Sequence, residues 1–176
     1  MKLQHSDYMK LAIEEAGKTC LRPGGTAAPD VPVGCIIVHQ EKIVGCGHNT
    51  REECATALGH AEISAIQQAC RTLGSWRLSG CTLYVTLEPC PMCMGAILNA
   101  RIDRVVFGAY DAKAGCCGSL IDLNRQGFCH KLEVLGGIRE LECAALLSDF
   151  FAGLREKDTA RREEQTPFSP PSPTGK

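Results

Sequence analysis

CTLYVTLEPCPMCMGAILNARIDRVVF, residues 81–107, is the most informative run in the chain. Cys81–Leu87 is rich in β-branched and aromatic side chains and reads as a strand. Pro89 ends it, and Cys90–Ala100 follows as a short apolar helix. Arg104–Phe107 is a further strand. The alternation continues outward in both directions. Upstream, His60–Leu73 has helical spacing in Ile63, Ile66, Ala69 and Cys70, with Gly74 as a stop signal. Val33–Val38 and Lys42–Gly47 read as two strands joined by the polar turn His39-Gln40-Glu41. Residues 6–20 read as a helix with Ser6 as N-cap and Met9, Ala12, Ile13 and Ala16 on one face. Downstream, residues 111–130 are glycine-rich and irregular, Leu132–Leu135 is a fifth strand, and Ile138–Arg155 is a final amphipathic helix. Strands alternating with helices predict an α/β protein. The expected architecture is a three-layer α/β/α sandwich, a mixed sheet of about five strands with helices on both faces.

Length and composition agree with a single domain. The chain has 176 residues, 44% hydrophobic and 22% charged, enough for a sizeable core and unlike disordered or coiled-coil sequences. Nineteen Lys+Arg against twenty Asp+Glu leave a formal net charge of −1, which argues against a protein that coats nucleic acid without sequence preference. No apolar run approaches a membrane span, and Met1–Asp7 carries no apolar signal region, so the expected location is cytoplasmic, with no membrane partner. Twelve cysteines stand out. Most are scattered singly, several in apolar contexts such as Cys35, which suits packed free thiols in a reducing compartment. Two close pairs remain, Cys90 with Cys93 and Cys116 with Cys117. The second lies between Gly115 and Gly118 and reads as a tight loop. Arg22–Asp30 reads as a loop, and residues 1–157 as the folded domain. Residues 158–176, charged and then rich in proline and serine, read as a disordered tail.

The residues that carry chemistry are His60-Ala61-Glu62 and Pro89-Cys90-Pro91-Met92-Cys93. Zinc favours nitrogen and sulfur donors in a tetrahedron. Cys90 and Cys93, three apart at a helix start, project from one face, and the helix amino terminus stabilises thiolates. His60 opens the other helix and supplies an imidazole. Three protein ligands leave a fourth position for water, as catalytic zinc sites do. Glu62, two residues from His60, stands where a carboxylate can take and return a proton. A redox pair or half of a structural zinc site are the other readings of Cys-x-x-Cys. No second Cys-x-x-Cys or paired His follows at structural-zinc spacing, and a redox pair leaves His60 and Pro89 unexplained.

With Thr86-Leu87-Glu88-Pro89-Cys90-Pro91-Met92-Cys93, this set resembles the cytidine deaminase superfamily, which includes zinc nucleobase deaminases with the H-x-E…P-C-x-x-C pattern. Asp30-Val31-Pro32-Val33-Gly34, Asn49, Arg104–Ala109, Asp111-Ala112-Lys113, Gly118-Ser119-Leu120 and Glu142–Phe151 narrow the likeness to the bacterial tRNA-specific adenosine deaminases, from about Ser6 to Leu154. The resemblance implies a cytidine deaminase-like fold and hydrolytic deamination of the wobble adenosine of a tRNA anticodon, giving inosine and ammonia. It also implies one zinc ion per subunit on His60, Cys90 and Cys93, with Glu62 as the catalytic proton shuttle and no organic cofactor. Asn49 would bind the target base, Asp111 would approach a ribose 2′-OH, and Phe151 would stand at the rim beside the anticodon stem-loop. A homodimer is implied, with the helix after Cys93 and the Arg104–Ala109 segment as interface material. Three departures concern the pocket and its rim: Tyr110 stands where arginine is frequent, Thr56-Ala57-Leu58-Gly59 lacks the usual Asp-Pro-Thr-Ala pattern, and the loop at Arg22–Pro29 is long. Two other functions compete. One is a deaminase of free guanine, cytosine or a nucleotide; the other is a non-catalytic zinc-stabilised RNA-binding subunit, which would have no use for Glu62.

Overall fold

The structure, a computed structural model, describes residues 3–20 and 29–164. Its elements are α1 (His5–Ala16), β1 (Gly34–His39), β2 (Lys42–His48), α2 (Ala61–Leu73), β3 (Cys81–Leu87), α3 (Pro91–Asn99), β4 (Arg104–Ala109), β5 (Glu133–Leu135) and α4 (Glu140–Glu164). The five strands form one sheet in the order β2-β1-β3-β4-β5. β1 runs antiparallel to both β2 and β3, while β3, β4 and β5 are parallel, so the sheet is mixed as expected.

Period-2 alternation divides the core into two layers. Cys35, Ile37, Leu83, Val85, Val105 and Phe107 pack in the cluster beneath α2 and α3. Ile36, Val38, Tyr84 and Val106 point the other way, toward Tyr8, Met9 and Ala12 of α1 and Cys143 of α4. The central strands are buried on both faces, which explains why Val33–Val38 and Val105–Phe107 read as continuous apolar runs.

α2 lies unusually close to β2. A Cβ on Gly45 would run into the Ala65 carbonyl and stand 2.9 Å from the Ala69 nitrogen; one on Gly47 would meet the Ala61 carbonyl. Gly45 and Gly47 share one face of β2, and Ala61, Ala65 and Ala69 share one face of α2. Small residues on both sides let the two backbones touch. This contact sets the depth at which the α2 amino terminus, with His60 and Glu62, enters the molecule.

The element ends depart from expectation in a few places. The first helix stops at Ala16, where Gly17 leads into a single 3-10 turn, Gly17–Cys20. The β1–β2 hairpin closes through the two-residue turn Gln40-Glu41, both with positive φ (47° and 65°), in the backbone sense that matches strand twist. α2 ends at Gly74 in the left-handed conformation, the stop its sequence position implied. α4 extends past Arg155 to Glu164, into the stretch expected to be a tail. Of the expected loop at Arg22–Asp30, residues 22–28 lie outside the described residues, as do residues 165–176 of the tail. β4 sits inside the sheet with Val105–Ala109 buried, so it offers no face to a second copy; α3 retains exposed Pro91 and Asn99. No helix among the described residues is long and apolar enough to cross a membrane.

Gly47→Ala is expected to cost about 1–3 kcal/mol through overpacking, lowering the melting temperature by about 2–4 °C per kcal/mol. Gly153→Ala, on α4 with open space at the Cβ position, is expected to stabilise by about 0.5–1 kcal/mol. Thermal unfolding followed by circular dichroism measures both; a Gly47→Ala protein melting with the parent would refute the close-contact account.

Candidate metal centre and substrate pocket

Two helix amino termini converge at the carboxyl end of β3. His60 is the N-cap of α2, and Cys90 is the N-cap of α3 with Pro91 at the first helical position. Both caps have extended backbone, which turns their side chains away from their own helices and toward each other. Cys93, on the first turn of α3, completes the group. The His60 Nδ1 lies 3.7 Å from the Cys90 Sγ and 3.4 Å from the Cys93 Sγ. All three donor atoms lie within 4.8 Å of one another. For Zn–S and Zn–N bonds of about 2.3 and 2.0–2.1 Å at tetrahedral angles, nitrogen and sulfur should stand about 3.6 Å apart. The donor set therefore fits a zinc ion in both chemistry and spacing.

The three donors differ in their electrostatics, one thiol being lowered while the other thiol and the imidazole are raised. The Cys90 thiol is held down at about 4, first by its hydrogen bond with Cys93 and then by His60, against the opposing effect of burial. Cys93 is pushed up by that hydrogen bond with Cys90 and by burial. His60 is raised by its bond to the Cys90 sulfur. Glu62 lies in the first turn of α2 and is 4% exposed. Burial pushes its carboxyl above the ordinary range, a setting suited to a group that both takes and gives protons.

Beside the cluster opens a cavity of about 230 Å³, with His60, Glu62 and Cys90 in its lining. Asn49 contributes to the lining and is buried. Its Oδ1 accepts the Ala61 N–H at 3.0 Å, which orients the amide and leaves Nδ2 as the donor available to a ligand. One wall comes from Asp30, Val31 and Val33; another from Leu87, Asp111 and Ala114. Asp111 also organises its own loop, its Oδ1 accepting the N–H groups of Lys113 (2.9 Å) and Ala114 (3.2 Å).

Of the residues singled out from the sequence, His60, Glu62, Cys90, Asn49 and Asp111 line one pocket, with the buried Cys93 behind Cys90. Phe151 is 44% exposed on α4, its ring 5.3 Å from that of Phe150, and is not in the pocket lining. Tyr110 is likewise exposed, its ring edge-on to Phe107. Two acids were missed as site-builders. Asp30 is buried and accepts the N–H groups of Glu52 (3.0 Å) and Glu53 (3.1 Å), holding the turn that carries Arg51 at the pocket. Glu88 is also buried. Burial alone would raise its carboxyl, but hydrogen bonds from the Ser119 side chain and from the N–H groups of Asp111, Ser119 and Cys117 outweigh that and hold it below the ordinary value. Both acids sit inside motifs quoted above, Asp30-Val31-Pro32 and Leu87-Glu88-Pro89. A buried acid that anchors backbone N–H groups can be recognised only once the loop around it is known.

Comparison with known proteins agrees with this chemistry. The sequence profile of the MafB19-like deaminases matches residues 3–155. The chain is 46% identical over 157 residues to a tRNA-specific adenosine deaminase of Bacillus subtilis (strain 168), the match covering 89% of this chain and 94% of that protein. It is 39% identical over 166 residues to a tRNA-specific adenosine deaminase of Streptococcus pyogenes serotype M3, covering 92% and 94%. Among solved structures it is similar to one from work on A-to-I editing by tRNA:A34 deaminases at the wobble position of transfer RNA. The TM-score is 0.72 at 38% identity, over 80% of this chain and 98% of the other. A guanine deaminase from Bacillus subtilis superposes with a TM-score of 0.55 at 36% identity, over 61% and 66%.

Because His60 and Cys93 hold their protons more firmly than ordinary side chains, an ion must displace those protons to bind. Zinc affinity is expected to fall as the pH is lowered from about 8 to about 5, by up to about tenfold per unit for each proton displaced. Competition titration against a chromophoric chelator measures this; a pH-independent affinity would exclude these donors.

Proposed function

We propose, from the premise that the chain belongs to the MafB19-like deaminase family and within it to the bacterial tRNA-specific adenosine deaminases, that it hydrolyses the wobble adenosine of a tRNA anticodon to inosine and ammonia. The observation that carries the reading is a buried carboxylic acid, Glu62, at the edge of a His-Cys-Cys donor set that opens onto a pocket with an oriented amide donor.

His60, Cys90 and Cys93 would hold one zinc ion per subunit. Bound there, zinc supplies Lewis-acid activation of water for attack on an electron-poor ring carbon. The remaining work belongs to side chains. Glu62 takes a proton from the attacking water, delivers it to N1 of the adenine, and passes the second to the departing amine, so that water and adenosine leave as inosine and ammonia. Burial raises the Glu62 carboxyl above its ordinary value, the direction that favours holding a proton between taking it and giving it up. Asn49 Nδ2 donates to the base and fixes its orientation over the cluster. Asp111, at the opposite wall, reaches a ribose 2′-OH of the neighbouring nucleotide, a contact that separates RNA from DNA. The adenine must leave its stack to enter the pocket, which costs least in a single-stranded anticodon loop. Phe151 would contact the stem-loop outside the pocket. A homodimer formed through the exposed side of α3 and a cytoplasmic location complete the reading. Cys35, Cys81, Cys116 and Cys143 are buried free thiols, as suits a reducing compartment.

Incubation of the zinc-loaded protein with an adenosine-containing anticodon stem-loop should yield inosine, detected by mass spectrometry. Turnover of free guanine with no inosine in the stem-loop would favour a free-base deaminase and overturn the proposal. Glu62→Gln is expected to lower kcat by about 10²–10⁴-fold while zinc content and folding stay at parental values. Undiminished activity would remove Glu62 from the reaction.

A further inference from the structure

We infer that Glu88 is the positioning residue for the pocket wall of residues 111–119: its buried carboxylate gathers three backbone N–H groups of that segment and so determines where Asp111 and Ala114 stand beside the donor cluster. What the wall binds rests on the deaminase reading above; what Glu88 does rests on geometry.

The segment needs such an anchor. Between β4 and β5 the chain leaves the sheet, and its ladder contact there is a single bridge, Cys117 to Asp122. A stretch without strand or helix partners must satisfy its N–H groups elsewhere. Glu88, 2% exposed and directly after β3, meets three of them. One carboxylate oxygen accepts the Asp111 N–H at 3.1 Å; the other accepts those of Cys117 at 2.9 Å and Ser119 at 3.1 Å. The three donors come from both ends of the segment, so the carboxylate closes it into a loop.

Neighbouring contacts hold the same arrangement. The Cys116 N–H bonds to the Pro89 carbonyl at 2.9 Å, tying the loop to the residue before Cys90. The Gly115 N–H bonds to the Asp111 carbonyl at 2.8 Å. A Cβ at Gly115 would collide with the Glu88 carboxylate, so glycine is required for the loop to lie on it. The loop groups hydrogen-bonded to the carboxylate, the three N–H groups and the Ser119 side chain, approach it as donors. Glutamine offers one acceptor oxygen and one NH₂, so in either orientation it would set a donor against at least one of these N–H groups. Glu88 therefore acts as an acceptor on both sides, with no contact to the reacting atoms assigned to it.

The test uses the zinc-loaded enzyme and Glu88→Gln. Amide exchange at Asp111, Cys117 and Ser119 should accelerate while β3 and β4 amides remain protected. The KM for the anticodon stem-loop should rise about tenfold or more, the scale of a lost charged hydrogen bond, with kcat and zinc content close to parental. Unchanged exchange at the three amides would overturn the proposal. Loss of zinc with a fallen kcat at unchanged KM would do so too, since Glu88 would then support the Cys90 turn instead of the wall. Should Glu88→Gln fail to fold, Gly115→Ala disturbs the same contact from the loop side; it should give the same pattern, and parental exchange and KM in that variant would refute the idea. If the parent enzyme leaves the stem-loop adenosine untouched, the functional reading falls, while exchange at the three amides still decides the role of Glu88.

Discussion

Everything in the site follows from two helices starting at nearly the same point. α2 and α3 begin within reach of one another at the carboxyl end of β3, and each begins on a metal-donor side chain in an extended cap. A helix amino terminus has unpaired N–H groups and a partial positive charge, so it favours thiolate at Cys90 and tolerates a dense group of polarisable donors. Convergence requires both helices to sit at a fixed depth on the sheet. For α2 that depth comes from backbone contact with β2, where Gly45 and Gly47 face Ala61, Ala65 and Ala69. For α3 it comes from the parallel crossover between β3 and β4, which buries Met94 and Ile97 in the same layer. The chemistry of the cluster is therefore a consequence of small-residue packing some distance from it.

Three buried acids surround the pocket, and their environments give them different work. Glu62 has burial as the dominant influence and is raised, which suits proton transfer. Glu88 has burial opposed by several donors and is lowered, which suits an acceptor that anchors backbone N–H groups. Asp30 accepts two N–H groups of the facing turn. The two anchors act on opposite walls, one holding the segment after Asn49 and the other the segment after β4. Loops that carry function must be irregular to reach their ligand, and irregular backbone leaves donors without partners. A carboxylate, with two oxygens and no proton to give, can collect several such donors at once.

The order of elements was legible in the residues because each carries a strong local signal: short apolar, β-branched runs in β3 and β4, helical spacing of Ile63, Ile66 and Ala69, and a glycine stop at Gly74. The donor set was legible because His-x-Glu and Cys-x-x-Cys are fixed by side-chain chemistry at short range. The element ends were less so. α1 stops at Ala16 because Gly17 intervenes within an otherwise helical pattern, and α4 continues past Arg155 because its charged residues are compatible with a solvated helix as well as with a tail. β4 reads locally like any apolar strand, and only its place between β3 and β5 removes it from consideration as an interface.

From sequence alone come the fold class, the mixed sheet and the identity of the four residues that would run the reaction, since periodicity and donor chemistry are properties of short segments. Which residues share a wall, which amide of Asn49 faces the pocket, and why Glu88 is buried beside a loop nearly thirty positions away were decided only by tertiary structure. Those facts depend on backbone N–H groups from distant segments meeting one side chain, and a linear pattern holds no record of which donors are left unpaired until the chain has closed on itself.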